Sequence, residues 1–225
     1  MNSQPKTALI SGSTGLTGGY LLNLLLESPS YNKVISLVRK PTGKQNDKLE
    51  EKVINFENLE SEISAISAED VFICLGTTIK KAKTQENFKK VDLEYPIKIA
   101  KTLNQNGAKQ LAVVSAMGAN SKSKIFYNRT KGQMEDALEK VGYENLFILQ
   151  PSLLMGNRNE FRLGEKISQK VMCIVDPLMV GPAKKYRSIN AYDVAFAMLA
   201  LCNGSLSGLN RIESEDIKEI ARLRK

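Results

Sequence analysis

Histidine is absent from all 225 residues. Its absence removes the Ser-His-Asp and Cys-His arrangements, histidine-ligated zinc and histidine acid–base chemistry. Any proton transfer falls to Tyr, Lys, Asp, Glu or Cys. Cysteine is scarce: Cys74, Cys173 and Cys202 are the three present. None sits in a CxxC pair, and they are too few and too scattered for a disulfide framework. They read as reduced, mostly buried thiols. No apolar run reaches the roughly 18 residues of a membrane-spanning helix, so no membrane partner is expected. The opening MNSQPK lacks the charged and apolar regions of a secretory signal. The expectation is an intracellular, cytoplasmic protein.

What is present is the composition of a globular chain. Hydrophobic residues make up 42% and charged residues 25%, and 225 residues can bury one large core without disulfides or metals. The net charge is +8, with basic clusters at Lys80–Lys83, at Lys89 and Lys90, and in the tail ARLRK. These runs lack interleaved aromatics, and no helix-turn-helix or RNP-like pattern accompanies them. No nucleic-acid partner is expected; the charge reads as solvated surface or as attraction for an anionic cofactor.

Strand and helix patterns alternate along the chain. Residues 7–11, 33–38, 52–56, 70–76, 109–116 and 146–151 read as strands, mostly continuous apolar runs. Residues 16–27, 87–106 and 125–140 read as helices. Ser28-Pro29 stops the first, Pro96 marks a helix start or a kink in the second, and Gly142 closes the third. Past Pro151 the rhythm breaks into loops, a helix near 164–173, another at 191–202 capped by Asn190 with Asp193 in support, a strand near 209–212 and a helix from Glu215. The expected fold class is α/β: a Rossmann-type doubly wound parallel sheet, helices on both faces, with a small C-terminal substrate-side extension. One domain spans 1–225, its nucleotide-binding core at 1–150 and its substrate-side elaboration at 151–225.

The stretch TALISGSTGLTGGYLLNLLLE places Gly12, Gly15 and Gly18, with Gly19, where the first strand meets the first helix. Glycine tolerates left-handed backbone there, lets the main chain approach a pyrophosphate, and leaves the helix N-terminus open to it. In the first strand-turn-helix unit this spacing indicates dinucleotide binding. An acidic residue about 20 positions further on would favour NAD. This chain offers Arg39 and Lys40 in LVRKP, and a guanidinium can grip a 2′-phosphate with paired hydrogen bonds. NADP(H) is therefore the expected cofactor, with NAD(H) second.

VVSAMGANSKSKIFYNRTKGQMEDAL carries the chemistry. Tyr127 and Lys131 are spaced to share one face of a helix. Ser115 ends the fifth strand, at the carboxyl edge where ligands of such sheets bind. An ammonium beside a phenol favours the phenolate, and a serine hydroxyl can donate to a carbonyl oxygen that gathers charge as hydride arrives.

These stretches, with CLGTT, VDLEYPIKIAK and LQPSLLMGNR, resemble the short-chain dehydrogenase/reductase superfamily in its extended or atypical part, most closely the Tat-interacting-protein-like oxidoreductase branch. The resemblance spans nearly the first 160 residues. It implies Tyr127 as acid–base residue, Lys131 as holder of the nicotinamide ribose and Ser115 as the group that positions the carbonyl. Gly12, Ser13, Thr14, Gly15, Leu16 and Gly18 would line the phosphate loop, and Arg39 would take the 2′-phosphate. Leu75, Gly76 and Thr77 would pass beside the adenosine ribose, and Pro151, Ser152 and Leu153 would lie near the nicotinamide amide.

Two positions depart from many relatives. Asn55 stands where Asp commonly meets the adenine amino group, and it can still accept that hydrogen bond. Asp92 stands where Asn is common; a proton relay through it is in doubt, and a carboxylate there can pair with a lysine. Arg158 and Arg162 can meet an anionic substrate or belong to an exposed loop. The functional expectation is hydride transfer between NADPH and a small carbonyl or alcohol substrate, by a monomer or homodimer, with no metal. The alternative is a non-catalytic NADP(H)-binding regulator or sensor acting through a protein partner.

Overall fold

The computed structural model describes residues 5–156 and 187–223. The expected helix near 164–173, Cys173, and the two arginines Arg158 and Arg162 lie outside the described residues.

Seven parallel strands form the main sheet: β1 (Lys6–Ser11), β2 (Tyr31–Val38), β3 (Leu49–Val53), β4 (Asp70–Ile73), β5 (Gln110–Val114), β6 (Asn145–Gln150) and β9 (Gly208–Glu213). Their order is β3-β2-β1-β4-β5-β6-β9. A short parallel pair, β7 (Leu154–Met155) and β8 (Ile189–Asn190), lies apart from it. Strand residues alternate between two cores. Ala8, Ile10, Phe72, Ala112, Phe147 and Leu149 face α1 (Leu16–Glu27), α7 (Ala191–Asn203) and α8 (Ser214–Arg222). Leu9, Val71, Ile73, Leu111, Val113 and Ile148 face α2 (Leu59–Ile63), α5 (Tyr95–Gln105) and α6 (Phe126–Glu139). This is the expected doubly wound sheet, with α3 (Ile79–Ala82) and α4 (Gln85–Lys89) leading into the segment before α5.

The chain runs from β1 outward to β3, then returns to place β4 on the other side of β1. Strand order therefore reverses between β1 and β4, and ligands of open α/β sheets bind at the carboxyl ends flanking such a reversal.

Two expected elements fell differently. The third strand lies three residues earlier than 52–56, because β3 is a half-exposed edge strand whose LEEKV has no apolar run to mark it. The long helix expected at 87–106 is three pieces: α4, one π turn at Lys90–Glu94, and α5. Pro96 lies in the first turn of α5. It has no N–H to return to the Asp92 carbonyl, and its ring crowds that carbonyl. The wider turn absorbs the misfit: the Tyr95 N–H bonds back to the Lys90 oxygen.

Candidate functional site

Gly12 has φ +87°, and a Cβ there would lie 2.6 Å from the Cys74 carbonyl carbon. The first turn thus rests directly on the end of β4. A Cβ on Gly18 would lie 2.1 Å from the Gly12 oxygen, so only glycine lets α1 close on the turn. Gly15 is the N-cap of α1 and supplies no side chain to the first-turn N–H groups, and that turn holds no acidic residue. Those N–H groups have no acceptor within the helix. Thr17 Oγ1 and Ser11 Oγ beside them are buried with no hydrogen-bond partner among the described residues. Ser13 Oγ accepts from the Ser36 hydroxyl at 2.7 Å, tying the turn to β2. A pyrophosphate fits this donor set: uncapped amides, an orphaned hydroxyl and a helix dipole, with no competing carboxylate.

Arg39 follows β2, exposed and without a salt bridge among the described residues. Its charge reaches Tyr95, whose phenol is nonetheless pushed up to about 12 by burial and by Glu57. Asn55 Oδ1 accepts from the Glu57 N–H at 3.0 Å and caps the turn that leads into α2. Its second lone pair remains for an adenine amino group.

Tyr127, Lys131 and Glu135 follow one another at helical spacing along α6. The Lys131 ammonium lies 2.9 Å from Asp92 Oδ1. Asp92 Oδ2 accepts from the Thr77 N–H at 2.8 Å, so the π turn, the Leu75–Thr77 segment and α6 meet at one buried carboxylate. Tyr127 packs edge-on against the buried Phe88, ring centroids 5.8 Å apart, and remains 38% exposed. Lys131 does pull the phenol downward, as expected. Burial pushes it up more strongly, Asp92 adds to that, and the net direction is upward. For Lys131 burial pulls downward, but Asp92, Tyr127 and Glu135 overturn it and the ammonium is held above its usual range.

Ser115 is buried at the end of β5, and its hydroxyl donates to Glu135 Oε1. Glu135 also accepts from Gln150 Nε2 at 3.0 Å and from Arg211 Nε at 3.2 Å. The proton expected to serve a substrate carbonyl is thus committed inside the protein. Glu135 lies four residues beyond Lys131; helical periodicity gave that much, but nothing in the sequence ties it to Ser115. Downstream, the Pro151 oxygen accepts from the Met117 N–H at 3.0 Å. The Ser152 N–H donates to Ser214 Oγ at 2.6 Å, and Leu153 is 47% exposed. No helix among the described residues is long and apolar enough to cross a membrane, and no group of acidic or cysteine side chains among them could hold a metal.

The HIM1 family profile matches residues 25–179. The chain belongs to the HIM1 family. Among its relatives, the HIM1-family chain is 34% identical over 171 residues to the mitochondrial protein FMP52 of Candida albicans, covering 73% of this chain and 75% of that one. It is 32% identical over 171 residues to HTATIP2 of Rattus norvegicus, covering 74% and 70%. The expected kinship with the Tat-interacting-protein-like branch holds. Among solved structures, MoeE5 in complex with UDP-glucuronic acid and NAD superposes with a TM-score of 0.68 at 15% identity, covering 96% of this chain and 82% of that one. At that identity the likeness is one of fold, a Rossmann-type dinucleotide-binding sheet. The expected cytoplasmic location is overturned: the fungal FMP52 relatives are named as mitochondrial proteins. The lack of a secretory signal, on which the expectation rested, bears on secretion and not on sorting among organelles.

Proposed function

We propose that this HIM1-family chain is an NADP(H)-dependent oxidoreductase acting on a small carbonyl or alcohol compound, with Tyr127 as its acid–base residue. The observation that carries the reading is the electrostatic coupling of Tyr127 and Lys131 on one face of α6, within a sheet whose first turn leaves a helix N-terminus uncapped. The kinship with FMP52 places it with a mitochondrion.

Bound nicotinamide dinucleotide would supply or receive the hydride. The chain's own residues do the rest. The amides at the start of α1 bind pyrophosphate oxygens, with Ser13, Thr14 and Leu16 lining the turn. Arg39 grips the 2′-phosphate bidentately, Asn55 meets the adenine, and Leu75, Gly76 and Thr77 flank its ribose. Pro151, Ser152 and Leu153 border the nicotinamide amide. The Tyr127 phenol keeps its proton at neutral pH and donates it to the substrate oxygen. Lys131 holds ribose hydroxyls and carries positive charge beside the forming phenolate. Ser115 positions the carbonyl once its hydroxyl turns from Glu135.

Tyr127→Phe keeps the ring and removes the phenol. NADPH oxidation against a carbonyl panel is expected to fall by about 100-fold or more, while NADPH binding, read by fluorescence, persists. Equal turnover by the two proteins rejects the assignment. A second reading, a non-catalytic NADP(H) sensor acting through a protein partner, draws support from the engagement of Ser115 by Glu135 and of Lys131 by Asp92. It is favoured if wild-type protein binds NADPH tightly but turns over no member of the panel.

A further inference from the structure

We propose that Asp92 is a positioning residue for Tyr127, acting through Lys131: one carboxylate oxygen fixes the ammonium, the other fixes the Leu75–Thr77 segment. The proposal rests on the assignment of Tyr127 above. Asp92 Oδ1 is 2.9 Å from Lys131 Nζ, and Asp92 Oδ2 is 2.8 Å from the Thr77 nitrogen. Asp92 is 1% exposed and Lys131 3%. The π turn forced by Pro96 carries this carboxylate into the interior.

An amide at position 92 could accept from the same two donors. It would leave the ammonium uncompensated in a buried place, where its field would act fully on the phenol. A carboxylate cancels much of that field at short range. Asp92 therefore trades activation of Tyr127 for a fixed ammonium, and the phenol keeps its proton.

The charged groups acting on Tyr127 are Lys131 from its own helix and Asp92 from the π turn. Phe88 from α4 presents only an apolar ring. Lys131 faces Asp92, Tyr127 and Glu135, and Glu135 is itself held by Ser115, Gln150 and Arg211.

The test is a pH titration of the cofactor-free protein carrying tyrosine labelled with carbon-13 at Cζ, read by NMR, the Tyr127 resonance being assigned by its loss in Tyr127→Phe. Asp92→Asn is expected to lower the Tyr127 midpoint by about one pH unit, and Asp92→Glu to restore it toward wild type. An unchanged midpoint in natively folded Asp92→Asn overturns the proposal. If that variant does not fold, Asp92→Asn/Lys131→Gln removes both buried charges. Its midpoint must then rise, since the lysine's pull exceeds the aspartate's push, and an unmoved midpoint again overturns the proposal. No turnover enters this measurement. A shifted midpoint in a protein without reductase activity rejects the function and keeps the role of Asp92; a fixed midpoint in an active reductase does the reverse.

Discussion

The Lys131 ammonium and the Asp92 carboxylate meet 2.9 Å apart where neither is reached by solvent. Removing one partner strands the other as a buried charge. Lys131→Met is therefore expected to lower stability by about 3–5 kcal/mol. The double variant Asp92→Asn/Lys131→Met, which strands no charge, should recover most of the loss. Urea midpoints of the three proteins decide it; a single variant as stable as wild type would show that water reaches the pair.

Gly18 and Gly19 are adjacent in α1 yet should respond oppositely to alanine. A Cβ on Gly18 would lie 2.1 Å from the Gly12 oxygen, whereas one on Gly19 meets nothing nearer than the Ser13 oxygen at 3.5 Å. Gly19→Ala is expected to raise stability by about 0.5–1 kcal/mol, since glycine is a poor helix residue. Gly18→Ala must push the turn off α1, costing about 1–3 kcal/mol and with it the pyrophosphate cradle. Thermal unfolding and NADPH titration of both variants check this, and similar behaviour of the two would contradict the close approach.

Arg39 leaves the end of β2 without a carboxylate partner among the described residues. A charge-assisted hydrogen bond to a phosphate contributes about 1.5–3 kcal/mol. Arg39→Ala is accordingly expected to weaken NADP⁺ binding by about 10-fold to 100-fold while leaving NAD⁺ binding nearly unchanged. Calorimetric titration with both cofactors measures the difference, and equal losses would remove the 2′-phosphate contact.

The glycine turn, α1 and the central strands were legible because their chemistry is local: an apolar run, a bend that needs glycine, an amphipathic stretch. The Tyr127–Lys131 face was legible for the same reason, being set by helical period. β3 was misplaced because an edge strand hides no apolar face. The π turn was missed because a proline within a helical pattern signals a break and not its form. The engagement of Ser115 by Glu135, and the anchoring of Glu135 by Gln150 and Arg211, join residues far apart in sequence. That network depends on how β6 and β9 lie beside β5, which no local pattern encodes. Asp92 stood between the two cases: its departure from the family was visible, and its choice of Lys131 among many lysines was not.

At the opposite edge of the sheet the Tyr31 hydroxyl donates to Asp70 at 2.6 Å, deep beneath α7. Burial, then the Asp70 charge, push this phenol far above its usual range. Burial likewise pushes the Cys74 thiol up to about 12 and raises Cys202 and Tyr143. In every case the native state holds a proton that the unfolded chain releases at ordinary values, about 8.5 for the thiols and 10 for the phenols. The stability these groups confer is whole below those values and declines as pH rises through them. Unfolding free energy should thus begin to fall near pH 9 and steepen above pH 10, each such group adding about 1.4 kcal/mol per pH unit. Tyr31→Phe loses the hydrogen bond to Asp70 and starts from a lower plateau, but its decline above pH 10 should be shallower by one group's share. Urea titrations at intervals from pH 7 to 11 give both curves, and parallel declines would mean that Tyr31 ionises as freely in the fold as out of it.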